Sequence, residues 1–135
     1  MSTYYGSCLC GQVTYTLTGD FDSLYLCYCS RCQKGSGSAH ASNVFAKGAK
    51  LVWNLGGDLV KTYQCPNSRH SRSFCSECGS GLPIDAKEAG FVMVPVGSLD
   101  SPITLSPTAR IFTESAPCWV EQINTVPSYK SFPDV

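Results

Sequence analysis

The spacing of the cysteines constrains this chain more than any other feature of its sequence. Nine cysteines stand at positions 8, 10, 27, 29, 32, 65, 75, 78 and 118. Seven fall into close groups: Cys8 with Cys10, then Cys27, Cys29 and Cys32, then Cys75 with Cys78. Thiols one or two residues apart converge readily on a single metal ion. The odd total speaks against a secreted disulfide framework, and so does an opening stretch, Met1–Gly6, without the basic and apolar regions of a secretory signal. The grouping predicts a cytoplasmic zinc protein.

Two of the groups end alike, in Cys8-Leu-Cys10-Gly11 and Cys75-Ser-Glu-Cys78-Gly79. A glycine after the second cysteine suits a knuckle turn, where backbone N–H groups curl around the sulfurs and the glycine takes a positive φ. Together they offer four sulfurs, enough for a closed tetrahedral site. The 64 residues between Cys10 and Cys75 would make such a site a long-range cross-link. The middle group, Cys27-Tyr-Cys29-Ser-Arg-Cys32, offers three thiolates and no obvious fourth. Structural zinc takes four protein ligands, whereas catalytic zinc keeps three and leaves a position open. Cys65 could supply a fourth ligand and make both sites structural. A ribbon pairing Cys29 and Cys32 with Cys75 and Cys78 would strand Cys8, Cys10 and Cys27. Redox exchange needs two thiols rather than three. Cys65 and Cys118 read most simply as free thiols.

Around the cysteines the chain reads as one all-β domain over residues 1–135. A 43% hydrophobic content suits a packed globule, and its length leaves no room for a second core. Alternation places Val13, Tyr15 and Leu17 on one face of a strand over 12–17. Further strands are expected over 24–27, 41–45, 50–53, 60–64, 72–75 and 91–96, separated by glycine- and proline-rich turns. Short helical turns fit 30–35 and 118–123. No apolar run is long enough to span a bilayer. Lys plus Arg and Asp plus Glu number ten each, and the short Arg69–Arg72 stretch is not a basic stripe, which excludes nucleic acid as the expected partner.

These motifs, in this order, resemble those of the glutathione-dependent formaldehyde-activating enzymes, a family that includes centromere protein V. The likeness rests on Gly6-Ser-Cys-Leu-Cys-Gly11, Cys27-Tyr-Cys-Ser-Arg-Cys32 and Phe74-Cys-Ser-Glu-Cys-Gly-Ser80. Ser36-Gly37, Tyr63 and Ala116-Pro-Cys-Trp119 support it, and it runs from Gly6 to about Pro133. The resemblance implies a β-tent of short, twisted antiparallel three-stranded sheets clamped by two zinc ions. It assigns Cys8, Cys10, Cys75 and Cys78 to structural zinc, and Cys27, Cys29 and Cys32 to an active-site zinc. Members commonly carry His where this chain has Tyr28.

The implied activity is carbon–sulfur lyase chemistry, in which a thiol such as glutathione adds to a small aldehyde such as formaldehyde. Arg31 and Lys34 are candidates for holding the glutathione carboxylates, with Lys47 and Arg72 also available. Tyr28 and His40 are candidates for handling the proton, His40 ahead of His70 because it follows the Gly35–Gly37 turn. Trp53 and Trp119 read as core. Two other classes remain: a non-catalytic glutathione carrier, and an interaction module in which both zincs are structural.

Overall fold

Period-two alternation is realised directly in the backbone. The computed structural model describes residues 1–133, leaving Asp134 and Val135 outside the description. Eleven strands run as β1 (Thr3–Ser7), β2 (Thr14–Thr18), β3 (Ser23–Cys27), β4 (Ala41–Lys47), β5 (Lys50–Leu55), β6 (Val60–Gln64), β7 (Ser71–Cys75), β8 (Gly81–Leu82), β9 (Ile84–Ala86), β10 (Phe91–Pro95) and β11 (Ala109–Ile111). One helix, α1 (Ser30–Ser36), follows β3. The all-β expectation holds, and no helix among the described residues is long and apolar enough to cross a membrane.

The strands form three sheets, ordered β1-β2-β5, β11-β3-β4-β10-β9 and β6-β7-β8. Two of them are the three-stranded sheets that were expected; the central one has five strands. Its edge departs from the antiparallel expectation, because β11 pairs in parallel with β3, with Ile111 opposite Cys27. A parallel partner must arrive by a long crossover, and the proline-punctuated segment after Pro102 supplies it. Leu24, Val44 and Val94 lie side by side across the central sheet, as do Ala46 and Val92. All are buried against Tyr15 and Leu17 of the first sheet and Val13 just before β2, so the alternating residues of both sheets make one core.

Beyond Phe112 the chain is mostly exposed. Trp119, at the start of a 3-10 helix over Cys118–Thr125, is half exposed, against the expectation of a core residue, while Trp53 packs against the core edge-on to Tyr15. The helix interior offers no buried position, and β11 has already closed the sheet edge to which this segment could have added.

The Tyr15 ring marks the tightest point of the core. Its hydroxyl shares a 2.6 Å hydrogen bond with Ser98 Oγ, and Ser98 Oγ donates in turn to the Pro95 carbonyl at 2.7 Å. Burial pushes the Tyr15 hydroxyl up to about 12. Gly6 crosses directly over this ring, and a Cβ there would overlap it. Gly6→Ala is therefore expected to destabilise the zinc-loaded protein by about 1–3 kcal/mol through overpacking. A urea midpoint unchanged from wild type would contradict this packing.

Candidate metal centres and the adjoining cavity

The two knuckle turns form as the glycines dictate. Gly11 and Gly79 take φ of 77° and 76°, and their N–H groups donate to the Cys8 and Cys75 carbonyls at 3.0 and 2.8 Å. Each turn then aims a backbone N–H at a sulfur: Val13 donates to Cys8 Sγ at 3.3 Å, and Glu77 to Cys75 Sγ at 3.4 Å. The first turn follows β1 and the second follows β7. Folding brings them together, so that the Sγ atoms of Cys8, Cys10, Cys75 and Cys78 all lie within 4.8 Å of one another. Cys8–Cys10 and Cys10–Cys75 are separated by 3.5 and 3.9 Å. Zinc–sulfur bonds of about 2.3 Å at tetrahedral angles put neighbouring sulfurs roughly 3.8 Å apart, so this spacing fits the ion.

The titration of these thiols also fits a cation. Ser80, through its hydroxyl and its N–H, and the Cys10 N–H hold Cys78 down at about 5. The Gln12 N–H favours a thiolate at Cys10, but burial and the neighbouring sulfurs outweigh it and push Cys10 up to about 11. One thiol ionises easily and a neighbour resists, because adjacent anions repel; a divalent cation among them removes that penalty.

The middle group is built at the junction of β3 and α1. Cys27 ends β3, held between Ala41 of β4 and Ile111 of β11. Cys29 is the N-cap of α1, and its sulfur accepts from the Cys32 N–H at 3.3 Å. Gln33 Nε2 donates both to the Tyr28 carbonyl at 2.8 Å and to the Ser115 carbonyl at 3.0 Å, pinning the cysteine loop to the later chain. The sulfurs of Cys27, Cys29 and Cys32 gather within 4.8 Å of one another, and no fourth His, Cys, Asp or Glu among the described residues joins them. Cys65 is in neither group, and Cys29 and Cys32 stand apart from Cys75 and Cys78, so the ribbon pairing does not form. Burial pushes Cys27 and Cys32 up, strongly at Cys32 where the neighbouring sulfurs add to it. Burial acts the same way on Cys29, but the Cys32 N–H, the other two sulfurs and the Arg31 N–H outweigh it and leave Cys29 below the ordinary thiol value.

Cys32 opens onto a cavity of about 920 Å³, which Cys8 also borders. Arg31, Arg72, His40 and His70 line it, with Asp100 as its one acid. Lys34 and Lys47 are exposed and lie outside this lining. His40 reaches the cavity with its ring against Tyr28, centroids 5.0 Å apart, and Nδ1 shares a 3.2 Å hydrogen bond with Ser42 Oγ. Tyr28 is buried behind it and does not line the cavity. Sequence reasoning gave no place to the serines of the lining, among them Ser7, Ser73 and Ser80. Ser80 carried a signal in hindsight, since it follows the second knuckle and donates to sulfur as well as accepting the Leu9 N–H at 2.9 Å.

Residues 3–115 match the sequence model of the glutathione-dependent formaldehyde-activating enzyme family, and the chain belongs to that family. Among curated proteins none matches this chain. A crystal structure of a Rhodobacter sphaeroides protein superposes with a TM-score of 0.59 at 20% identity, covering 78% of this chain and 98% of that one, which establishes likeness of fold.

The two sulfur groups are expected to respond differently to mutation. Cys75→Ser should lose one zinc together with the folded state, since it unties β1 from β7. Cys32→Ser should lose one zinc and retain the sheet spectrum. Metal analysis with far-UV circular dichroism checks both, and a folded Cys75→Ser protein retaining two zincs would contradict the assignment.

Proposed function

We propose that this member of the family joins a thiol such as glutathione to a small aldehyde such as formaldehyde, forming a carbon–sulfur bond. The single observation carrying this reading is the three-sulfur group whose Cys32 borders a large cavity, with no fourth ligand side chain among the described residues to close it. Cys8, Cys10, Cys75 and Cys78 would hold a structural zinc, and Cys27, Cys29 and Cys32 a second one. Held by three thiolates, that second ion supplies a position for a thiol and lowers its pKa toward neutrality.

The chain's own residues do the remainder. The cavity admits thiol and aldehyde together, and the backbone N–H groups at Cys29 fix the sulfur cradle through the start of α1. As the thiol sulfur attacks the aldehyde carbon, the C=O electron pair moves onto oxygen, which must gain a proton. In this reading His40, which lines the cavity, relays the thiol's proton to that oxygen. Ser42 engages Nδ1, so Nε2 is the working nitrogen, and the buried Tyr28 ring fixes the plane of the imidazole. Tyr28 thus takes a positioning role, and the His40 imidazole, twelve residues on in sequence but packed against it, does the work of the His that relatives carry at that place.

Exchange NMR of glutathione with formaldehyde tests this. Protein verified to hold two zincs should accelerate formation of S-hydroxymethylglutathione, and Cys29→Ser should abolish the acceleration. His40→Gln should lower it by roughly 10² with both zincs retained. No acceleration by the two-zinc protein would overturn the formaldehyde reaction.

A further inference from the structure

Beyond β11 the chain carries an apolar arm that the fold leaves uncovered. β11 ends where Phe112 takes a φ of 54°, a left-handed conformation that a bulky side chain rarely adopts, and a 3-10 turn over Thr113–Ser115 follows. Gln33 Nε2 then donates to the Ser115 carbonyl at 3.0 Å, the last hydrogen bond from the body to this segment among the described residues. Every described residue from Glu121 onward is exposed. Six of the arm's side chains are nonetheless large and apolar: Phe112, Trp119, Ile123, Val126, Tyr129 and Phe132, each between 47% and 82% exposed.

The area involved is that of an interface. An aromatic side chain presents roughly 150–250 Å² when fully free, so at these exposures the six together leave on the order of 700 Å² to water. Monomers rarely leave more than a few hundred Å² of apolar surface in one patch. Each partner in a standard protein–protein interface contributes about 800 Å², so the arm brings close to one partner's share.

Its charge narrows the partner. From Phe112 to Pro133 the charged residues are Glu114, Glu121 and Lys130. An anionic lipid surface or a nucleic acid calls for a basic face, whereas this arm carries one cation against two acids. A strongly charged protein partner finds no opposing field on it. The pattern is instead complementary to itself. Gln122 stands midway between Phe112 and Phe132, and also midway between Glu114 and Lys130. Two arms crossing antiparallel about Gln122 would set Lys130 of each against Glu114 of the other, as an isologous contact requires.

We propose that this arm is a dimerisation surface, on which two copies of the chain cross their arms antiparallel about a two-fold axis and cover each other's apolar side chains. The surface is separate from the thiol site, since none of the six residues lines the cavity.

Sedimentation equilibrium of the two-zinc protein tests it, in a phosphine reductant that keeps the exposed Cys118 from cross-linking copies. The wild type is expected to approach twice its chain mass as concentration rises through about 1–100 µM, with tryptophan emission moving to the blue as Trp119 is covered. Trp119→Asp should weaken association by about 30-fold or more, with two zincs and the sheet spectrum retained. Leu55→Asp, at a similarly exposed apolar position on β5, should leave the dimer unchanged. Lys130→Glu should weaken it by roughly threefold or more, and Glu114→Lys in the same chain should restore it. A wild type that stays monomeric throughout would overturn the proposal, and its retention on phosphatidylcholine vesicles would give the arm to a lipid surface instead. An unchanged dimer in Trp119→Asp would overturn it as well, by placing association elsewhere on the chain. Failure of the double charge reversal to restore association would overturn the crossed-arm arrangement.

Discussion

Four thiolates drawn from two knuckles, 64 residues apart, are the constraint on which the rest of this structure depends. Four sulfurs brought this close repel once ionised, and the knuckles tolerate that only with a divalent cation between them. Where that cation sits, the end of β1 is tied to the end of β7, and so the first sheet to the third. The outer strands bury little of their own: β6 is almost wholly exposed, and β1 buries only Gly6, while β2 carries the first sheet's contribution to the core through Tyr15 and Leu17. Their positions come from the cross-link and from the core beneath Tyr15 rather than from a thick sandwich of side chains.

The candidate active site follows from the same arrangement. With the knuckles joined, β7 lies alongside α1, and the space between them becomes the cavity that Cys8 borders on one side and Cys32 on another. The middle sulfurs sit where a strand ends and a seven-residue helix begins, a junction that frees N–H groups to point at sulfur. Three donors held by covalently continuous backbone, with Cys32 bordering the cavity, distinguish this group from the four-sulfur one. The two groups thus differ in how many sulfurs each brings together, four in one and three in the other.

Much of this was legible in the sequence because spacing and alternation are local signals. The cysteine groups assembled as their spacing implied, β6 formed over the expected residues, and β3, β4, β5, β7 and β10 were each located within two residues of either end. What escaped was set by non-local pairing. β1 hides its alternation behind Tyr4-Tyr5 and a glycine needed by a ring fifteen positions from the chain start. β8 and β9 are too short to carry a pattern, and β11 is exposed and exists through its parallel partner β3. The cavity was legible only in part. Arg31 and His40 stood near the middle cysteines in sequence, but Arg72 belongs there because β7 packs beside α1, and Lys34, though closer in sequence, points away into solvent.

The central claim is that the chain holds two metal ions in chemically distinct sulfur sites, one closed and one open to a thiol. Cadmium-113 NMR of protein loaded with two cadmium ions tests it most directly, because the cadmium shift reports the number and kind of its ligands. The account predicts two resonances in the sulfur-rich range, one unmoved by added glutathione and one that shifts as the thiol enters. A single resonance, or two that both ignore glutathione, would contradict it.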